Sequence, residues 1–141
     1  MTLTSLPIGM DLFRTTKKLA LAFEAKLAEA GGSLPVWLTL LSIKSQASAN
    51  QQELAGMIGI RGATLTHHLN AMEKQGLLTR RRDPANRRMH QVELTPGGEA
   101  LFMRLRDVAV AFDKQLRAGI ADERIAELAA ALAALRANIE G

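Results

Sequence analysis

The chain contains no cysteine and no tyrosine, and aromatic residues make up only 4% of it. Without cysteine, disulfides, thiolate metal sites and a cysteine redox switch are excluded. A core so poor in rings must rest on Leu, Ala, Ile, Met and Val, which favours helices over a β-sandwich. Long apolar runs are missing too. No basic-then-apolar leader opens the sequence, and the run VWLTLLSI stops at Lys44, far short of a membrane span. A soluble, cytoplasmic protein is therefore expected. There is also no nucleophile elbow, no phosphate-cradling glycine loop and no metal-spaced cluster, so neither enzymatic activity nor a cofactor is expected.

What is present is 141 residues, 48% hydrophobic and 23% charged, which suits one well-cored globular domain and argues against disorder. Residues 10–29 read as a first helix with Leu12, Leu19, Phe23 and Leu27 on one stripe, ended by Gly31-Gly32-Ser33. Pro35 suits the first turn of a second helix reaching about Lys44. Asn50 and Glu53 resemble a capping box opening a short helix, Gln51–Ile58, which Gly59 closes. A tight turn leads to a helix from Gly62 to Lys74, and the two form a helix-turn-helix with Leu54, Ile58, Leu65, Leu69 and Met72 as shared core. Gly76 stops it, and strands are predicted at 77–82 and 89–94 around the turn Asp83-Pro84-Ala85-Asn86. Thr95 caps a helix running from Pro96 to about Leu116. After Gly119 the last helix places Ile125, Leu128, Leu132, Leu135 and Ile139 at alternating spacings of three and four, a coiled-coil-like seam. The fold class is thus mainly α with a small β-wing: one domain over 1–141, with a winged helix-turn-helix at about 34–95, a connecting helix at about 95–117, and dimerisation helices at about 10–30 and 120–141.

The charge is local. Residues 51–95 carry seven Lys/Arg against four acids, so +3 of the total +4 lies in that stretch. Arg80, Arg81, Arg82, Arg87 and Arg88 fall within nine residues around the hairpin turn, where packing gives little reason for like charge. Charged hairpins also serve as solubilising edges, but lysines and mixed signs would do that equally well. Forked guanidinium donors favour phosphate or insertion into a narrow groove.

Set the 62–74 helix on a wheel with Leu65 at zero and about 100° per residue; Leu69 and Met72 then lie near zero, at about 40° and 340°. Opposite fall Ala63, His67, Asn70 and Lys74, with Thr64 and Thr66 flanking and His68 near the buried edge. This small, polar outer face can approach a major groove and offer hydroxyl, imidazole and amide groups to base edges. A solvated helix face would look similar in isolation; the arginine hairpin that follows it distinguishes the two. His67 and His68 are neighbours whose side chains diverge by about 100° on a helix, so they do not suit one metal, and a packing role is assigned to His68.

On the string THHLNAMEKQGLLTRRRDPANRRMHQVELTPGGEALF, the preceding ELAGMIGI and the enclosing helix order, the chain resembles the MarR family of winged-helix transcription regulators. The resemblance covers essentially the whole sequence. It implies an obligate homodimer with interleaved first and last helices, binding to a pseudo-palindrome, usually as a repressor, and release by a small molecule. Family wing tips often end in Asp-Arg-Arg; here the run is Asn86-Arg87-Arg88, so Arg88 takes the minor-groove role and Arg87 the phosphate role, while Asn86 replaces the usual acid. Members that sense through a sulfenate need a cysteine near the N-terminus, which this chain lacks. Family pockets lie between the dimer helices and the DNA-binding lobe, where Arg14 and Trp37 would suit an aromatic carboxylate or phenolic ligand.

The sequence thus predicts a DNA-binding regulator with Thr64, Thr66, His67, Asn70, Lys74, Arg80, Arg82, Arg87 and Arg88 at the DNA, double-stranded DNA and a second copy as partners, and no bound metal. The alternative is a winged-helix module that binds protein and has no salt-sensitive affinity for nucleic acid. The wing decides between them. DNA affinity should fall steeply with salt, and Arg88→Ala should weaken binding and remove an A/T preference at the wing position, as read by titrations across a salt series. A mutant that binds like the parent at every salt concentration would make the wing decoration.

Overall fold

A computed structural model describes residues 6–45, 55, 59–83 and 86–141, with 82–83 and 86–91 described by backbone alone. Among these residues the order is α1 (Ile8–Glu29), α2 (Leu34–Ser45), α3 (Gly62–Lys74), β1 (Leu78–Asp83), β2 (Asn86–Leu94), α4 (Pro96–Arg117) and α5 (Asp122–Glu140). The expected helix over 51–58, with Leu54 and Ile58, lies outside the described residues apart from Ala55, which is helical and buried. The chain divides into two compact units, Met1–Val108 and Ala109–Gly141.

The core of the first unit comes from every element in it. Leu27 of α1, Leu40 and Ile43 of α2, Leu65, Leu69 and Met72 of α3, Leu78 and Val92 of the hairpin, and Leu101, Phe102 and Leu105 of α4 are all buried. The i, i+4, i+7 spacing of the three α3 residues puts them on one stripe, as the wheel requires. Trp37 stacks on Phe102 with ring centroids 5.7 Å apart and planes 15° from parallel. Two scarce aromatics are thereby spent on one joint between α2 and α4.

The connections are closed by polar atoms that helix ends leave without partners. The Ser33 hydroxyl accepts from the Val36 amide at 3.3 Å, and Glu24 Oε1 of α1 accepts from the Leu34 amide at 3.1 Å. At the far end of α3, Gly76 takes φ +77°, a left-handed value that a side chain would resist. Its amide donates to Glu73 O and the Leu77 amide to Met72 O, the paired bonds of a Schellman stop.

One residue then joins the stop of α3, the base of the hairpin and the start of α4. The Thr95 hydroxyl donates to Gly76 O and accepts from the Gly98 amide at 3.1 Å, while the Thr95 amide donates to Leu77 O. Gly98 lies so close to this joint that a Cβ there would sit 1.9 Å from the Leu77 carbonyl oxygen.

β1 and β2 pair antiparallel, with Leu78 opposite Leu94 and Arg80 opposite Val92. The ladder runs further toward the tip than the turn residues suggest, because backbone pairing does not require apolar side chains; Asp83 and Asn86 become paired strand residues. The register breaks between Arg82 and Asp83: Arg82 faces His90 but Asp83 faces Asn86, so Arg87, Arg88 and Met89 fall in an irregular stretch of β2.

In the second unit, α5 starts with Asp122 and Glu123 in its first turn, where acids complement the helix dipole. It buries none of its residues, and Leu128 and Ile139 are openly exposed. Among the described residues no helix is long and apolar enough to cross a membrane.

Because the atom that a Gly98 side chain would strike is backbone, relief requires moving the hairpin base. Gly98→Ala should cost about 3 kcal/mol or more, the upper end of overpacking effects, measured by denaturant unfolding. An unchanged midpoint would mean that the α4 start is not locked to Leu77.

Candidate nucleic-acid interface

The wheel opposite the buried stripe is realised in α3. Thr64, His67, Asn70 and Lys74 are exposed, Thr66 is half-buried, and Leu65, Leu69 and Met72 are sealed beneath them. The Thr66 hydroxyl donates to Gly62 O at 2.9 Å, so its proton is turned back onto the helix. The His67 and His68 rings lie 6.0 Å apart between centroids with their planes tilted by 57°. His68 turns to the other flank, where it lines a cavity of about 250 Å³ with Glu24, Leu34, Pro35, Leu38, Thr39 and Ile60.

The hairpin arginines divide by strand parity. Leu78 and Arg80 share the face of β1 turned toward the body, while Thr79 and Arg81 are exposed on the other. Arg81 pairs with Glu93 of β2. Arg80 instead reaches across to α3. Its Nη2 donates both to Asn70 Oδ1 and, at 3.0 Å, to Glu73 Oε1. Its side chain is 18% exposed, against 65% for Arg81. Two expected DNA contacts, Asn70 and Arg80, are therefore bonded to each other, and Glu73 joins them. Glu73 was missed by sequence reasoning, which counted it only as one of the four acids of residues 51–95. The signal was present: Asn70 and Glu73 are three apart on a helix, and Arg80, two places after the buried Leu78, shares its inward face of the next strand.

The side chains of Arg82, Arg87 and Arg88 lie outside the described residues. Their backbone is placed in the hairpin, Arg87 and Arg88 in the irregular stretch of β2.

Arg14 and Trp37, expected to meet at a ligand, lie in different surroundings in the single chain. Trp37 is a core residue, buried against Phe102. Arg14 sits on an exposed face of α1 beside Met10, Phe13 and Lys17. Stacking took the indole into the core, and the two residues line no common cavity among those described.

A helix with a polar outer face, followed by a basic hairpin locked to its end, is the geometry of a winged helix-turn-helix. The sequence model of the MarR family matches residues 33–90, which cover α2 through most of the hairpin. These residues form a MarR-family domain. Members are transcription regulators, and solved structures agree along nearly the full length. The transcriptional regulator PA3341 is similar at 29% identity and a TM-score of 0.83, covering 95% of this chain and 98% of its own. The transcriptional repressor CouR, bound to a 23-mer DNA duplex, is similar at 26% identity and a TM-score of 0.85, with 92% of each chain covered. BpsR of Bordetella bronchiseptica, whose DNA binding is regulated by 6-hydroxynicotinic acid, shares the fold at 20% identity and a TM-score of 0.82, covering 92% of this chain and 98% of its own.

Proposed function

We propose that this MarR-family protein is a homodimeric repressor that reads a pseudo-palindromic operator and is released from it by a small molecule. The observation that carries the DNA reading is the outer face of α3. Thr64, His67, Asn70 and Lys74 stand exposed over a fully buried apolar stripe, beside a hairpin bearing five arginines. The family supplies the context, and CouR, its similar in fold, is bound to duplex DNA.

The homodimer is supported by what the single chain leaves open. α1 buries Leu27 alone, leaving Ile8, Met10, Phe13 and Leu21 exposed, and α5 buries nothing. Apolar surface on this scale rarely stands bare in water, and a second copy covering it makes α1 and α5 the dimerisation helices. Twofold symmetry then puts half-sites about one helical turn apart, roughly 10 bp.

Release is assigned to the cavity beside His68, because a ligand there touches α3 from behind. Among the described residues its lining is mostly apolar, with the Glu24 carboxylate, the Thr39 hydroxyl and the His68 imidazole as polar groups and no lysine or arginine. BpsR responds to a hydroxylated aromatic acid. Among the described residues the cavity sets a carboxylate, Glu24, and no lysine or arginine beside a ligand, so a phenolic or other neutral hydrogen-bond donor on an aromatic ring fits it better than a carboxylate.

Selection of bound fragments from random duplex DNA at one fixed salt tests the DNA reading, run on the parent and on His67→Ala. The parent should enrich a twofold motif, and His67→Ala should relax one or two positions per half-site, each base contact being worth about 1–3 kcal/mol. No enriched motif from the parent would favour the protein-interaction module instead. Identical motifs with evenly lowered affinity would reduce His67 to a phosphate contact.

A further inference from the structure

We infer that Arg80 is a positioning residue that sets base preference: it holds the Asn70 amide so that α3 offers DNA hydrogen-bond donors, which favours guanine over adenine at the contacted position. The inference rests on the proposed role of α3 in reading operator DNA.

The chemistry of the contact fixes the amide. A guanidinium has five N–H donors and no acceptor, so the atom that Asn70 turns to Arg80 must be Oδ1. The Nδ2 group then points elsewhere, and it has no protein partner among the described residues. Asparagine recognises adenine by a two-point match, accepting from N6 while donating to N7. That match needs the oxygen on which Arg80 already takes one of the two lone pairs. Bringing the adenine N6 amino group to the same oxygen would also set a donor against the guanidinium. Guanine presents only acceptors along this edge, O6 and N7, and both complement an amide donor backed by a positive charge.

The alternative, a strap that merely holds the hairpin to α3, is weak on energetic grounds. Glu73 is 40% exposed in the pair, and exposed ion pairs add little to stability. What the contact does supply is orientation. Arg80 is held from two sides, by Asn70 and by Glu73, and on the inner face of β1 by the register that pairs it with the buried Val92. An amide on an exposed helix face would otherwise turn over easily and read either purine.

Both bonds come from the single nitrogen Nη2. One nitrogen with several protons can therefore replace the guanidinium, which a lysine ammonium provides. This gives a conservative variant that tests orientation separately from folding.

The experiment is site selection from random duplex DNA at one fixed salt, using the full-length protein as parent, Asn70→Ala, Arg80→Met and Arg80→Lys, with thermal unfolding of each. Asn70→Ala identifies the position that Asn70 reads. The parent should prefer guanine there. Arg80→Met keeps the aliphatic stem but frees the amide, so the guanine-to-adenine ratio at that position should fall about tenfold or more, with little change in melting temperature. Arg80→Lys should keep guanine preferred. Adenine preferred by the parent would overturn the inference, as would an Arg80→Met motif identical to the parent's at lowered affinity, the mark of a phosphate contact. If Arg80→Met melts early, the Arg80→Lys motif decides: a switch to adenine in that variant would overturn it. If Asn70→Ala relaxes no position, the inference fails while the proposed function stands; if the parent enriches no motif, both fall.

Discussion

The reading head depends on the hydroxyl of Thr95. It donates to the carbonyl of Gly76, where α3 has just ended, and accepts from the amide of Gly98, where α4 has just begun. The backbone of the same residue donates to Leu77 O at the foot of the hairpin. Three elements that contribute nothing to one another's regular hydrogen bonding are thereby tied at one point. The bareness of Gly98 lets the carbonyl of Leu77 come that close. A loose joint here would let the hairpin swing, and recognition by a helix and a wing together requires that their spacing be fixed before DNA arrives.

Within that frame, the arginines of β1 are not equivalent. Alternation along a strand sends Arg81 to the exposed face with Glu93 and Arg80 to the inner face against α3. Counting positive charge treats them alike, yet one pairs within the hairpin on its exposed face while the other spends its donors on the helix. Charge attracts DNA to the surface; the direction of individual donors decides which sequence is held.

Much of this was legible in the sequence because it obeys local rules. The period of Leu65, Leu69 and Met72 gave the buried side of α3, Gly76 its stop, and Thr95-Pro96 the next start. The outward positions of Thr64, His67, Asn70 and Lys74 follow from the same period. The strand ends were less legible, since the ladder continues through Asp83 and Asn86, residues whose composition signals a turn. Long-range pairings were not legible at all. Nothing in spacing reveals that Trp37 would stack on Phe102, 65 residues later. The meeting of Arg80 with Asn70 and Glu73 likewise exists only once the hairpin folds back along α3.

The shared nitrogen of Arg80 bears on how such a protein could be rewritten. A recognition helix is often treated as a row of independent letters, to be exchanged one at a time or transplanted whole. Here the letter at Asn70 takes its meaning from a residue outside the helix, and from the strand register that delivers it. A graft of α3 alone would carry the amide without its tether and read an ambiguous base. The smallest transferable unit of specificity runs from the start of α3 through β1, and any redesign of one end has to be solved together with the other.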